Sequence, residues 1–432
     1  MIQPNLEVEV AGVKFKNPVL SGASELAHDL QGTRRLIKAS VGGIVSKTLT
    51  SMKSIMARPR PYIFPLKTFK GFEESGALIT YAAPHVEDAD AYIRGEIAAM
   101  ARTCHEAGLP FIVTYIGDGD KVEDWVRLGR MIEDTGADML ELNFQYLWRM
   151  KDFSTLNAFL DSMKSFSEAS TEIVGAVSRA VKVPVGPKIP PGIEFIEELA
   201  GNWSQAGAKF LAAHNGHASR YLIVDVEKET IFGQPSYSGF IFGRTFLPWS
   251  LGRIAQILQK VNIPIIGIGG IYTGADALQY ILCGCPLTLM CTSVFMEGVG
   301  IIKKVVEGIK DWMVAKNYRT IEEFRGKILR TITPTAQLKS KAPGAYSIPP
   351  HTPFIPVINK DLCNACGRCW RACDSEVLAF DKKSKRVLID ASKCWSCGSC
   401  VGLCKQKAIA LMDRETRKKK IWTGSGAVAL FD

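Results

Sequence analysis

Cys363, Cys366, Cys369 and Cys373 follow the spacing C-x2-C-x2-C-x3-C, and Cys394, Cys397, Cys400 and Cys404 repeat it 31 residues later. The runs LCNACGRCWRAC and KCWSCGSCVGLC read as two copies of one small unit. A segment this short and this rich in thiols has little to fold around except metal. Three thiolates at these spacings come from one compact loop and bind three corners of an Fe4S4 cube; in the two-cluster arrangement the fourth cysteine of each run ligates the other cluster. That assigns Cys363, Cys366, Cys369 and Cys404 to one [4Fe–4S] cluster, and Cys394, Cys397, Cys400 and Cys373 to the second. Zinc is the competing reading, but its sites usually use two separated cysteine pairs, not a triple run plus a distant fourth. Asp374 and Lys405 stand where a proline commonly follows the last cysteine, a change that leaves ligation intact. The other cysteines, Cys104, Cys283, Cys285 and Cys291, are scattered upstream, and Cys283 and Cys285 read as buried packing.

Upstream of the cysteines, short apolar runs alternate with longer amphipathic stretches. The expected strands are residues 18–22, 42–47, 110–117, 137–143, 183–188, 208–214, 263–269 and 286–291, with helices such as 86–107, 121–135 and 249–260 between them. Near-continuous apolar strands alternating with helices indicate a parallel sheet covered on its outer face. Eight such units predict a (β/α)8 barrel, an α/β TIM barrel, with its active site at the carboxyl ends of the strands. A doubly wound open sheet is the other candidate, but the glycine-rich turn GIGGIYTG comes late and does not match G-x-G-x-x-G. Residues 6–16 alternate around an Ala-Gly turn and read as a hairpin. Six prolines between 333 and 358 mark an extended connector. The expected organisation is therefore a barrel over 1–332, a connector over 333–358, a ferredoxin-like two-cluster domain over 359–412 and a basic tail over 413–432.

The formal net charge is +10, and part of it sits in the tail at Arg414, Arg417, Lys418, Lys419 and Lys420. No aromatic and basic platform accompanies that charge, so nucleic acid is not an expected partner. A docking surface for an acidic redox partner is the better fit, because opposite potentials steer encounter. No stretch approaches the roughly 20 uninterrupted apolar residues of a membrane span. The start, MIQPNLEVEVAGVKF, lacks a basic region followed by an apolar one, so a signal peptide is not expected and the chain reads as cytoplasmic.

Polar residues stand at the ends of successive expected strands: Lys47, Asn143, Lys188 and the pair His214-Asn215. Side chains at those mouths would converge on one ligand. Strand 7 ends in Gly267-Ile268-Gly269-Gly270-Ile271 before a helix, and strand 8 ends in Cys291-Thr292-Ser293. Barrels frequently hold a phosphate after strands 7 and 8, where glycines let backbone N–H groups approach it.

The segments VSKTLT, the EDW of KVEDW, GADMLELN, VPVGPK, GIGGIYTGADAL and LMCTSVFMEG resemble the flavin barrel of the dihydroorotate and dihydropyrimidine dehydrogenases, and the appended two-cluster module narrows the likeness to the dihydropyrimidine branch. The resemblance covers nearly the whole chain and implies FMN as cofactor. It puts Ala23 and Ser24 near the ring, and Lys47, Thr48, Asn143 and Lys188 on the ring's polar edges. Asn215 and Gly243 fall near the ring and its chain, and Gly269, Gly270, Cys291 and Thr292 cradle the phosphate. Lysines beside the flavin's N1–C2 edge would stabilise charge on the reduced ring.

The likeness breaks around the substrate. The family's loop after strand 4 reads roughly Ser-Cys-Pro-Asn/His and supplies the Cys or Ser that exchanges a proton; here FQYLWRMKDFSTL follows Asn143. After strand 6 stands His214-Asn215-Gly216-His217 in place of Thr-Asn-Thr, and Tyr221 and Tyr237 follow. Tyr146, His214 and His217 are therefore the candidate proton donors, with Lys47 beside them. Residues 71–85 lack the asparagine-rich loop that a dihydroorotate carboxylate would need. The resulting expectation is an oxidoreductase acting on CH–CH bonds, exchanging hydride at flavin N5 with an activated C=C bond. The substrate would be a pyrimidine or another cyclic conjugated carbonyl or aromatic-derived compound. Electrons would pass through the clusters, which carry one at a time, to a flavin that handles two. With no nicotinamide fingerprint of its own, the chain is expected to draw on an NAD(P)H-oxidising flavoprotein subunit or a ferredoxin, and to be oligomeric. The alternative is a non-catalytic electron-transfer subunit of a larger redox complex.

Overall fold

The computed structural model describes residues 3–52, 61–68, 73–80, 88–149, 154–190, 192–193, 196–213, 223–231, 240–332, 354–373, 377–381, 383, 386–413 and 419–420. The chain divides into two compact units, Met1–Thr335 and Ala336–Asp432.

In the first unit, parallel strands close into a barrel. They are strand 1 (Val19–Gly22), 2 (Gly43–Val45), 3 (Phe111–Ile116), 4 (Met139–Asn143), 5 (Val185–Lys188), 6 (Leu211–Ala213), 7 (Ile265–Ile268) and 8 (Leu287–Met290). Each pairs with its sequence neighbour, and strand 8 returns to strand 1 with Leu289 opposite Leu20. A further short strand, Leu49–Thr50, extends strand 3. All eight expected strands are present. Their residues are buried throughout because helices cover the outer face: Trp125, Phe144, Phe166 and Trp203 pack together there, with Phe144 5.1 Å from Trp125 and 5.6 Å from Trp203. The hairpin pairs Val8–Val10 with Val13–Phe15 across Ala11-Gly12, both at positive φ. The helix expected over 86–107 runs as Ala89–Tyr92 and Ala98–Glu106 around a π-turn, Ile93–Ile97, which contains the weak helix former Gly95.

A small antiparallel sheet stands apart from the barrel sheet, in the order Phe240–Gly243, Ala77–Thr80, Ile63–Pro65. Leu78 lies opposite Phe242, and Thr80 opposite Ile63. Alternation sends the intervening Ile79 and Ile241 to the other face, where they join an apolar cluster with Leu66.

The second unit places strands within the expected connector and tail. Phe354–Ile358, placed in the connector because of its prolines, pairs antiparallel with Ile409–Asp413, and Lys419–Lys420 of the tail pair with Leu411–Met412. Phe354–Ile358 is an edge strand, where Pro356 can sit without leaving a ladder donor unmade. The two copies of the cysteine unit repeat in backbone as well as sequence. Ala365 and Ser396 take φ of +54° and +58°, Gly367 and Gly398 take +80° and +77°, and a one-turn helix follows each glycine. Among the described residues no helix is long and apolar enough to cross a membrane.

Gly22 ends strand 1 at φ +141°, and a Cβ there would lie 1.8 Å from the Val45 carbonyl oxygen of strand 2. Gly22→Ala should therefore destabilise the barrel by roughly 3 kcal/mol. Thermal unfolding followed by circular dichroism checks this; an unchanged midpoint would contradict the close approach.

Candidate active site

The carboxyl ends of the barrel strands surround a cavity of about 1090 Å³, counting its open mouth. Ala23 and Ser24 reach it from strand 1, Lys47 and Thr48 from strand 2, Asn143 and Tyr146 after strand 4, and Lys188 from strand 5. Gly269 and Gly270 follow strand 7, Cys291 and Thr292 follow strand 8, and Gly243 comes from the small sheet. Those twelve are brought together in one site. Asn215, His214 and His217 lie outside the described residues.

Strand alternation explains the placement. Glu141 and Asn143 project into the barrel while Phe144 turns outward into the aromatic layer. Lys188 lies in register with Asn143, so both end their strands at the same level. The Lys188 Nζ donates to Glu141 Oε1 at 3.0 Å, with side chains 3% and 1% exposed, so the cation carries its counter-charge inside the barrel. Lys47 Nζ donates to Glu25 Oε1 at 2.7 Å, and the Tyr62 hydroxyl donates to the same oxygen at 3.0 Å. Burial pushes the Glu25 carboxyl up. The Lys47 charge and hydrogen bond, with its own backbone N–H and Tyr62, outweigh that and hold it below the usual carboxylate range. Asn143 Nδ2 donates to Thr48 Oγ1 at 3.2 Å, and its Oδ1 accepts from the Gln145 backbone, which fixes the amide's orientation. Burial raises the Cys291 thiol to about 11, so it stays protonated at neutral pH and offers a small neutral wall.

The glycine turn is held from below. The Ser250 hydroxyl donates to the Ile268 carbonyl at 2.8 Å, and the Tyr280 hydroxyl lies 2.7 Å from the Gly269 carbonyl. Thr273 and Asp276 form a capping box on the following helix, and Arg244 Nη2 meets Asp276 Oδ2 at 3.0 Å. Gly243 takes φ +136° and would place a Cβ 2.2 Å from the Gly76 carbonyl oxygen, so only glycine closes the mouth sheet there. Ser293 lines the cavity, and among the described residues its buried Oγ has no hydrogen-bond partner; the same is true of Glu141 Oε2, beneath the cavity. An oxyanion seated at the ends of strands 7 and 8 would satisfy Ser293, and the lysines, Thr48 and Asn143 offer donors and an acceptor to a heteroaromatic ring. The residues fit FMN.

Sequence reasoning missed the rest of the lining. Ile63, Leu78, Phe242, Phe246, Tyr272 and Phe295 make one wall apolar and aromatic. Glu25 was adjacent to Ala23-Ser24 and could have been read with them; the wall could not, because its strands pair across long loops.

In the second unit the cysteines line two cavities. Cys363, Cys366, Cys369 and Cys404 line one cavity, and Cys373, Cys394, Cys397 and Cys400 line another. Among the described residues no three His, Cys, Asp or Glu side chains close on a single metal-ion point; the thiols ring cavities. Each ring spans both sequence copies, which suits two Fe4S4 cubes.

The Dihydroorotate dehydrogenase family profile matches residues 5–313, and the 4Fe-4S dicluster domain profile matches residues 362–408. The chain is 26% identical over 386 residues to the NAD-dependent dihydropyrimidine dehydrogenase subunit PreA of Escherichia coli (strain K12), covering 86% of each. It is 26% identical over 343 residues to the chloroplastic dihydropyrimidine dehydrogenase (NADP(+)) of Arabidopsis thaliana, covering 77% of this chain and 78% of the relative. Against the catalytic subunit of dihydroorotate dehydrogenase B (NAD(+)) of Thermodesulfovibrio yellowstonii it is 23% identical over 325 residues, 75% of this chain and 98% of the relative.

Cys404→Ala should remove the cluster ringed by Cys363, Cys366 and Cys369 and leave the second, so bound iron should fall to about half. Full iron retention would contradict the cross-copy assignment. Lys188→Met strands a buried Glu141 charge and should cost about 3–5 kcal/mol, whereas the double variant Lys188→Met/Glu141→Leu should recover most of it. Equal losses in denaturant unfolding would count against a paired interior.

Proposed function

Because the chain belongs to the dihydroorotate dehydrogenase family and carries a 4Fe-4S dicluster domain, making it an oxidoreductase of CH–CH bonds with FMN and two [4Fe–4S] clusters, we propose that it reduces the activated C=C bond of a flat, uncharged, cyclic conjugated carbonyl compound. The observation that carries this reading is the division of the cavity into a polar wall of Lys47, Thr48, Asn143 and Lys188 and an apolar wall of Ile63, Leu78, Phe242 and Phe246. The apolar, aromatic wall favours a ligand with a flat hydrophobic face.

Bound FMN supplies two-electron transfer at the substrate carbon and accepts single electrons from the clusters. The chain's own residues do the rest. The polar wall orients the ring, and the apolar wall excludes water from the substrate face. Tyr146, buried and lining the cavity on the short helix Gln145–Arg149, is the donor that protonates the neighbouring carbon in place of the family's Cys or Ser. The electrons come from an NAD(P)H-oxidising flavoprotein subunit or a ferredoxin. Relatives are named as subunits, which supports a partnered enzyme. Eight thiolate ligands need a reducing compartment, in keeping with the cytoplasm.

Anaerobic reoxidation of the reduced holoprotein tests the substrate class. Cyclic enones and related aromatic-derived carbonyls should reoxidise it faster than uracil or thymine; fast turnover by the pyrimidines alone would overturn the reading. Tyr146→Phe should keep FMN and iron yet slow turnover by about a hundredfold or more. An unchanged rate would remove Tyr146 as the acid.

A further inference from the structure

Among the described residues the charged side chains lining the barrel's cavity are Lys47, Lys188 and Glu25. Neither lysine stands alone. Lys188 is paired with Glu141, which lies beneath the cavity, and Lys47 with Glu25, which lines it. We propose that Glu25 is a charge-compensating and specificity-determining residue: it cancels the positive charge that Lys47 would otherwise hold against the flavin, and it turns the cavity against anionic substrates. The proposal rests on the FMN reading above.

The pair is built into the fold. Glu25 opens a short turn, Glu25–Ala27, directly after strand 1, and the Ser24 hydroxyl accepts from the Leu26 backbone within that turn. The Lys47 backbone N–H donates to the Ala27 carbonyl at 2.8 Å, so the segments bearing the two charges are tied to each other before their side chains meet. At the base of the turn Ala23 sits at φ +51°, its N–H donating to the Val45 carbonyl at 2.8 Å. A left-handed alanine held by a backbone bond is the kind of local strain that a site retains for placement. The Tyr62 hydroxyl then fixes the shared Oε1 from a third segment. Three independent chain segments converge on one carboxylate oxygen.

The environments of the two acids separate their roles. Glu141 is fully buried and does not line the cavity, so it can act only through Lys188. Glu25 is 27% exposed at the side chain and lines the cavity, so a ligand meets it directly. It is ionised at neutral pH, since its carboxyl is held below the ordinary range. Reduction adds negative charge to a flavin, and an uncompensated cation nearby makes that easier. With Lys47 neutralised at 2.7 Å, this help is weakened, and the flavin keeps a lower potential suited to substrates that resist reduction. The same carboxylate repels a substrate carboxylate, since like charges brought together in a low-dielectric site cost affinity.

The test uses the holoprotein and Glu25→Gln, which keeps an acceptor for Lys47 and Tyr62 while removing the charge. Flavin content and midpoint potential are measured by spectroelectrochemistry. A cyclic enone carboxylate, 3-oxocyclohex-1-ene-1-carboxylate, and its uncharged carboxamide are then titrated against flavin absorbance. Wild-type protein should bind the carboxamide about tenfold or more tightly than the carboxylate. Glu25→Gln should narrow that gap and shift the midpoint potential upward. An unchanged midpoint in an FMN-bound variant overturns the proposal. So does a wild-type preference for the carboxylate, which decides the matter even if the variant does not fold. Wild-type protein purified without FMN would instead overturn the flavin reading beneath it.

Discussion

The closure of the parallel sheet, Leu289 of strand 8 opposite Leu20 of strand 1, is the constraint on which the active site depends. An open sheet would leave the ends of strands 1 and 8 on separate edges. Closed, it brings the strand-1 turn with Glu25, the two lysines of strands 2 and 5, and the glycine turn of strand 7 around one opening. The close approach at Gly22 is part of the same closure, since strand 2 packs its Val45 carbonyl where any side chain would stand. Geometry at the mouth is thus inherited from backbone pairing.

Electrostatics at that mouth are unusually self-contained. Two lysines, at the ends of barrel strands 2 and 5, could make a strongly positive site, but each is met by a carboxylate within 3.0 Å. Breaking a buried pair costs far more than the pair itself contributes, so these contacts fix arrangement rather than add stability. The interior of the barrel is correspondingly polar at its upper end, with Ser46, Thr114 and Glu141 all buried.

Much of this was legible in the amino-acid sequence because it is local. Each barrel strand is a short apolar run bounded by turn residues, and each of the eight was recoverable from that texture. The first three cysteines of each set were legible from their spacing within one loop, whereas the fourth comes from the other copy and follows only from the two-cluster arrangement. What was hidden is what depends on pairing across distance. Phe354–Ile358 looked like connector because of its prolines, yet an edge strand tolerates them. The apolar wall takes Leu78 and Phe242 from Ala77–Thr80 and Phe240–Gly243, segments more than 150 residues apart, and no periodicity links them. Glu25 sat beside two residues already assigned to the site, but its role needs Lys47 and Tyr62 in space. Among the candidate proton donors, Tyr146 is in the cavity, while His214 and His217 lie outside the described residues.

The central claim is that one chain holds a flavin at the barrel mouth and two clusters in the cysteine rings. Cofactor analysis of anaerobically purified protein tests it most directly. The account predicts about one FMN and about eight acid-labile sulfides per chain. Colourless protein containing zinc, without flavin or sulfide, would contradict it.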